Sequence, residues 1–186
     1  MPRAGLDAEL VVRAAAELAD AEGLDHLTLA ALAQRLGVRS PSLYAHVGGL
    51  PDLRLRLAID ACDGLRDAVA DAALGRTEGD ALRAVLDAYR EWARAHPGRY
   101  ATIAHGFADH PEAIAAAQGV VEVLFAVMRS YGLEGEDSVH GVRAVRSAVH
   151  GFITLQERGG FQIPVDLEQS WARMVEMLDR GLRQDR

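Results

Sequence analysis

The sequence predicts an all-α protein of nine helices. Apolar residues recur at helical spacing along most of the chain, alanine and leucine dominate, and no useful period-two segment occurs. Glycines and prolines mark the breaks between the periodic segments. With 186 residues, of which 49% are hydrophobic and 25% charged, the composition is typical of a globular protein.

Capping and breaking residues predict where each helix begins and ends. In chain order, the predicted helices span about 7–23, 28–37, 41–47, 51–74, 80–96, 97–107, 111–131, 137–158 and 166–186. The polar stretch 75–80 is the one clear break in composition. It predicts three functional ranges: a small N-terminal domain of residues 1–52, a linking helix over 53–76, and a helical domain over 77–186.

The second and third helices form the most informative pattern. Thr28 is a predicted N-cap, and an apolar stripe follows it at 29, 32, 33 and 36. Gly37 ends that helix, and Ser40 and Pro41 start a short one with a polar outer face. A short polar helix held on a more apolar one suits a DNA major groove. The alternative interpretation is an ordinary helical hairpin.

The distribution of charge is compatible with DNA. The net charge is −7, but between His26 and Ile59 four arginines face one aspartate, a local balance of +3. All 20 basic residues are arginine, which excludes lysine-based covalent catalysis. The single cysteine, Cys62, excludes an intrachain disulfide. With no secretory signal and no apolar stretch of ~20 residues, we expect a cytoplasmic protein without a membrane partner.

The run LTLAALAQRLGV, then PSLYAHV, then the helix start at Pro51 resembles the DNA-binding domain of TetR-type transcriptional regulators. The resemblance covers roughly the first 60 residues with specific motifs. The resemblance implies that Thr28, Tyr44 and His46 contact backbone phosphates; the alternative for each is a role in capping or packing. If the short helix enters the groove, Arg39, Ser40 and Ser42 lie at its N-terminal end, where base edges are within reach. Pro41 is expected to be structural and can also touch a thymine methyl.

Two positions depart from the family pattern. The family often has a lysine where this chain has Leu50, and an arginine where it has Ala30. Each departure removes a phosphate contact, which predicts a shallower salt dependence of DNA binding. Arg54, Arg56 and Arg3 are the candidates to replace the missing charges.

The C-terminal half resembles the Trp-His-Gly subgroup of TetR-type C-terminal domains through WARAHPGRYATI, VHGF and LQERGGF. His150 and Gly151 match, but Arg146 stands where the tryptophan is usual. The resemblance implies a pocket for an unknown small-molecule effector and a homodimer. The expected ligand-binding residues are Trp92, Tyr100, Ile103, Phe107, Phe125, Met128, Arg146 and His150.

The eighth and ninth helices carry wide apolar stripes that we expect at a four-helix dimer interface. The alternative is that these residues are buried within one chain. The expected interface residues are Val145, Val149, Phe152, Ile153, Trp171, Met174, Val175, Leu178 and Leu182.

The expected function is a transcriptional repressor, released from a palindromic double-stranded DNA operator by the effector. No catalytic motif stands out, and the spacing of the histidines matches no compact metal site. We therefore expect no catalytic residue, no metal and no cofactor. Two alternatives stay open: an all-helical enzyme, and a sensor protein that has lost DNA binding.

Overall fold

The computed structural model describes residues 6–104 and 110–184. Arg3 and Phe107 lie outside these ranges. Over the described residues the structure is helical and without strands, which confirms the predicted all-α class. The eight α-helices are α1 (Ala8–Glu22), α2 (Leu29–Leu36), α3 (Leu50–Ala73), α4 (Glu78–Ala95), α5 (Pro97–Ala104), α6 (Pro111–Ser130), α7 (Gly135–Glu157) and α8 (Leu167–Gln184).

Two short 3₁₀ helices complete the described elements, Leu24–His26 and Ser40–Ala45. The Ser40–Ala45 helix is the predicted third helix, so each of the nine predicted helices has a counterpart within the described residues. By packing, the chain forms two compact units, which are described separately below. The first contains Met1–Gly64 and Ala93–Ala117, and the second contains Leu65–Trp92 and Gln118–Arg186. The functional ranges 1–52, 53–76 and 77–186 are a different division and stay a prediction.

The core of the first unit is formed by α1, α2, the Ser40–Ala45 helix and the start of α3. Val11, Leu32, Leu43, Leu53 and Leu57 are all completely buried there. The spacing of these residues explains the fold, because each helix contributes only the one apolar face that its sequence provides. The polar faces of the same helices stay exposed. The outer surface of this part of the first unit, called the head below, is therefore available to a binding partner.

Helix α5 also packs in the first unit, directly against α1. An added Cβ at Gly98 would lie 2.0 Å from the carbonyl oxygen of Ala19, so only glycine allows this approach. Asp20 then fixes α5, since its carboxylate accepts from the Arg99 backbone N–H at 2.9 Å and from Nε of Arg99 at 2.8 Å. The Nδ1 atom of His96 is 3.4 Å from the same carboxylate.

The second unit is held by buried apolar residues and by one buried arginine. Arg90 of α4 is only 5% exposed. It donates to Glu168 of α8 at 2.7 and 2.9 Å and to the Oε1 atom of Gln156 of α7 at 3.0 Å. Its guanidinium lies 4.9 Å from the ring centre of Trp171 and 5.3 Å from that of Phe152. This one side chain therefore joins three helices.

Helix α6 corrects one expectation from the sequence. By length and composition it is apolar enough to cross a membrane, and 28% of its most apolar part is buried. The expectation that no apolar stretch approaches this length is therefore wrong for Pro111–Ser130. The core helix of a soluble protein passes the same test of length and composition.

Candidate nucleic-acid interface

Helix α2 is closed at both ends by the residues that the sequence singles out. The side-chain oxygen of Thr28 accepts from the backbone N–H of Ala31 at 3.1 Å. At the other end, Gly37 has φ +67°, and the N–H of Val38 donates to the carbonyl of Ala33 at 3.0 Å. This bonding pattern is a Schellman motif, which needs a left-handed residue at Gly37. The sequence therefore fixes where the chain leaves α2.

The Ser40–Ala45 helix begins one residue earlier than expected. Arg39, not Ser40, is its N-cap residue, and the helix is 3₁₀ in form, with bonds from Ser42 N–H to Arg39 and from His46 N–H to Leu43, both 2.9 Å. A six-residue segment suits this tighter form, which is common in short pieces. Pro41 still lies in the first turn, as predicted.

Leu43 sets the orientation of this short helix. Its side chain is completely buried in the core of the first unit, whereas the neighbouring Tyr44 is 62% exposed. Arg39, Pro41 and Ser42 are also exposed. Because one apolar anchor faces inward, the polar and aromatic side chains are left on the outside.

The remaining predicted DNA contacts are placed as follows. Thr28 is exposed at the start of α2, and Ser40 and His46 are half-buried at the two ends of the Ser40–Ala45 helix. All seven predicted residues therefore belong to the 28–46 segment of one unit, and none of them is fully buried. Their contacts with DNA stay a prediction.

Asp52 stabilises the turn into α3. Its Oδ2 atom accepts from the backbone N–H of Gly48 at 2.8 Å and from Nε of Arg56 at 3.0 Å. The bond from Gly48, followed by the contacts with Arg56, outweighs burial and lowers the pKa of this carboxyl. An acidic group in the first turn also suits the helix dipole. The sequence pattern gave no indication of this role.

The four arginines between residues 26 and 59 are not equivalent. Arg35 pairs with Glu17 at 2.9 Å, and Arg56 pairs with Asp52 at 3.0 Å. Arg39 and Arg54 are exposed, and neither has an ion-pair or hydrogen-bond partner for its side chain within the described residues. Two guanidinium groups of the head are therefore available to an external anion.

The predicted ligand-binding residues are divided between the two units. Tyr100 and Ile103 belong to the first unit, and Phe107 lies outside the described residues. The second unit holds Trp92, Phe125, Met128, Arg146 and His150. Burial, followed by the charge of Arg146, lowers the pKa of His150. A ligand there would meet a neutral imidazole at neutral pH.

Most of the predicted dimer residues are buried inside the single chain. Trp171, for example, is 4% exposed, and its Nε1 donates to Asp87 at 2.6 Å. A side chain that its own chain already buries has little surface left for a partner. Those buried in this way are Val145, Val149, Phe152, Ile153, Trp171, Val175 and Leu182; Met174 and Leu178 are half-buried.

Other apolar side chains of α7, α8 and the loop between them are exposed. Leu155 is 49% exposed, Met177 61% and Ile163 78%, with Phe161 and Val165 also on the surface. The amphipathic pattern predicts an apolar face on each helix, but it does not predict which faces the chain itself covers; the dimer interface stays a prediction.

The fold and this exposed helix-turn-helix define a helical DNA-binding regulator. The family comparisons agree. A model described as bacterial regulatory proteins of the tetR family matches residues 11–48. A second, described as a tetracyclin repressor-like C-terminal domain, matches residues 82–178. The chain therefore belongs to the TetR family, and it is a DNA-binding transcriptional regulator of the helix-turn-helix type.

Two relatives align over nearly the whole chain. The uncharacterized HTH-type transcriptional regulator Rv0681 of Mycobacterium tuberculosis is 38% identical over 181 residues, covering 96% of this chain and 83% of the relative. The uncharacterized HTH-type transcriptional regulator YobS of Bacillus subtilis is 33% identical over 181 residues, covering 97% of this chain and 95% of the relative.

Solved structures share the fold at lower identity. A protein of unknown function from Rhodococcus sp. RHA1 aligns with a TM-score of 0.83 at 19% identity, covering 98% and 99% of the two chains. The structure of BioQ with its double-stranded DNA operator aligns with a TM-score of 0.71 at 23% identity, covering 97% of this chain and 99% of that one. ActR of Streptomyces coelicolor in complex with (S)-DNPA aligns with a TM-score of 0.69 at 21% identity, covering 98% of this chain and 99% of that one.

Proposed function

We propose that the protein is a repressor that inserts the Ser40–Ala45 helix into the major groove of a palindromic operator. The single observation that carries this proposal is the orientation of that helix, with Leu43 completely buried and Tyr44 62% exposed. A large aromatic side chain held outward beside a buried anchor is suited to an external partner. The solved BioQ structure contains a DNA operator, which supports the same use of the shared fold.

The proposed contacts divide into those that read bases and those that fix register. Arg39 is proposed to donate both of its terminal nitrogens to a guanine, because its exposed guanidinium has no partner within the described residues. Ser40 and Ser42 reach neighbouring base edges, and Pro41 touches a thymine methyl. Tyr44 and His46 hold backbone phosphates.

Thr28 can cap α2 and hold a phosphate at the same time. A hydroxyl has one donor and two acceptor sites, and the bond from Ala31 uses only one acceptor. The O–H proton is therefore free to be donated to a phosphate oxygen. The structural and functional interpretations of Thr28 are compatible, and they predict separable effects of substitution.

We propose that two copies associate through the exposed side chains of α7, α8 and their loop, which include Leu155, Ile163 and Met177. A palindromic operator requires two reading helices about one turn of DNA apart, ~34 Å. A symmetric pair provides this spacing, whereas one copy covers a single half-site. We therefore propose the exposed faces of the two helices as the contact surface of the pair.

A small-molecule effector is proposed to release the repressor by binding its non-DNA-binding conformation more tightly. Within the second unit, the proposed contacts are Trp92, Phe125, Met128, Arg146 and His150. The ActR complex contains (S)-DNPA, which supports ligand binding by this fold. A role of Tyr100 and Ile103 in ligand binding stays a prediction, as does membership of the Trp-His-Gly subgroup.

A regulator of chromosomal DNA is expected to act in the cytoplasm, without a membrane partner.

Replacing Tyr44 by alanine tests the proposal. We expect Y44A to lose at least tenfold in affinity for the DNA upstream of its own gene, measured by gel shift. Because Tyr44 packs little of its surface within the chain, the melting temperature and the sedimentation coefficient should stay unchanged.

Leu74→Ala is the matched control, since Leu74 is 71% exposed at the end of α3 and outside the proposed interface. It should leave DNA binding unchanged. Equal DNA affinity in wild type and Y44A would contradict the proposed contact. A folded wild type that binds no DNA from this region would instead favour a sensor without DNA binding, and enzymatic turnover in that case would favour an enzyme.

A further inference from the structure

Helices α1 and α3 border an open groove of about 440 Å³ on the surface of the first unit. This volume lies within the range of small-molecule sites, which is roughly 300–1,000 Å³. The residues that line the groove belong to α1, α3 and the first turn of α6, all of which the first unit contains. None of the seven predicted DNA contacts and none of the described ligand-binding residues is among them.

The floor of the groove is apolar. Leu55 and Ile59 line it from α3, where residues four apart are stacked one turn above the other. Val12 lines it from α1, and its position is fixed because it also packs against the core of the first unit. All three side chains are half-buried, so the chain leaves part of each uncovered. An apolar ligand body requires such partly uncovered apolar surface in a concave site.

The rim of the groove is acidic. One guanidinium lines it, that of Arg56, together with the carboxylates of Glu9, Asp52, Asp60, Asp63 and Glu112. Asp52 already accepts from Arg56, and the Oδ2 atom of Asp60 is 3.9 Å from Arg99. Glu9 and Glu112 are exposed, and neither has a side-chain partner within the described residues. These two carboxylates are therefore available to a positively charged ligand.

The arrangement of the carboxylates favours an organic cation over a metal ion. Magnesium or calcium needs several oxygen ligands that converge on one point at about 2.0–2.6 Å. Among the residues that the structure describes, no group of three or more histidine, cysteine, aspartate or glutamate side chains is placed to hold a metal ion. Carboxylates spread around an apolar floor instead match a larger cation whose charge is carried by an apolar body.

We propose that the groove between α1 and α3 binds a small organic cation with an apolar body. Glu9 and Glu112 attract its charge, and Val12, Leu55 and Ile59 contact its body. The inference does not depend on DNA binding. It adds a ligand site within the first unit to the proposed effector contacts, which belong to the second unit.

The experiment is isothermal titration calorimetry of the full chain with tetraphenylphosphonium, a cation whose charge is surrounded by four phenyl rings. Two comparison ligands separate charge from shape. Tetraphenylborate has nearly the same shape and the opposite charge, and spermidine has several positive charges without an aromatic body. We expect tetraphenylphosphonium to bind at one site per chain, more tightly than either comparison ligand, and less tightly as sodium chloride is added.

Two double variants locate the bound cation. Glu9→Gln with Glu112→Gln removes both available carboxylates, and because exposed charge pairs are weak we expect about threefold lower affinity from each and roughly tenfold from both. Glu22→Gln with Glu122→Gln is the matched control, since it removes the same charge from exposed positions of the same two helices outside the groove. The control should bind like wild type, and both double variants should keep the wild-type circular dichroism spectrum.

Each of the other outcomes would overturn the inference. No heat of binding at millimolar tetraphenylphosphonium means that the groove takes no such cation, and wild-type affinity in the E9Q/E112Q variant means that the cation binds elsewhere. Equal weakening in the two double variants means that only net charge matters. Equal affinity for spermidine or for tetraphenylborate removes the need for the apolar floor or for the carboxylates. A lower sedimentation coefficient of E9Q/E112Q would assign the groove to a second copy of the chain instead.

Discussion

The segment 28–53 and the helices of the second unit are held together by different kinds of contact. In the segment, the capping bonds are local: Thr28 accepts from the backbone N–H of Ala31, and Asp52 accepts from that of Gly48. The pair of Arg35 with Glu17, 18 residues apart, is the longer exception. In the second unit the buried polar bonds join much more distant parts of the chain. Arg90 binds Glu168 across 78 residues, and Trp171 binds Asp87 across 84.

This difference explains what each region reveals in its sequence. A local bond needs particular residue types at a fixed spacing, so the pattern is visible in one short stretch. A bond between distant residues needs only the right residue type at each of two positions, with no fixed spacing between them. The sequence therefore does not show that the two residues are partners. Function can thus be inferred from the first region at residue level and from the second mainly at the level of helices.

The largest effect is expected from removing the long-range contact in the second unit. Arg90→Ala removes charge-assisted bonds to Glu168 and Gln156 and two aromatic contacts. We expect a loss of roughly 2–4 kcal/mol in the free energy of unfolding, because the arginine stem also fills space between the rings. Thermal unfolding should show a melting temperature lower by several degrees.

Arg180→Ala is its control. Arg180 pairs with Glu176 on α8, with side chains 63% and 57% exposed, and such a surface pair contributes little. The melting temperature of R180A should stay within a degree or two of wild type. A similar stability of R90A and R180A would show that the buried contact does not hold the second unit together.

A smaller effect, divided between two measurements, is expected at Thr28. Thr28→Ala loses the helix cap, which costs about 1 kcal/mol of stability, and also loses the proposed phosphate donor. Thr28→Asp keeps an acceptor for the Ala31 N–H but puts a negative charge where a phosphate is expected. T28D should therefore unfold like wild type in thermal melts and bind DNA less tightly than T28A in gel shifts.

Thr28→Ser retains both the acceptor and the donor, so it should match wild type in both measurements. DNA affinity of T28D equal to that of T28S would argue that Thr28 is a cap and nothing more. The bond between Thr28 and Ala31 would then contribute to stability only and not to DNA binding.

Most of the fold followed from residue patterns. The capping threonine, Gly37 and Pro41 predicted the ends of α2 and the start of the next helix, because caps act within one turn. The one-residue shift from Ser40 to Arg39 is the usual uncertainty of helix ends, here increased by the 3₁₀ form. The all-α class was predicted correctly since helical periodicity extends along most of the chain.

The candidate sites were predicted less evenly. Tyr44 and Arg39 were singled out and are exposed, as an interface requires. For the dimer, the amphipathic stripes of α7 and α8 selected residues such as Val149, which their own chain buries. An apolar stripe shows that something covers it, and it does not show whether the same chain or a partner does so. Arg90 was missed because an isolated arginine resembles a surface residue.

The central claim is that the Ser40–Ala45 helix enters the major groove. Protection of guanine N7 from methylation by dimethyl sulfate tests it directly, since that atom lies in the major groove. On the DNA upstream of its own gene, we expect guanines to be protected in two symmetric half-sites one helical turn apart, and Arg39→Ala to lose protection at one guanine in each. Bound DNA whose guanines are methylated as readily as in free DNA would contradict the account.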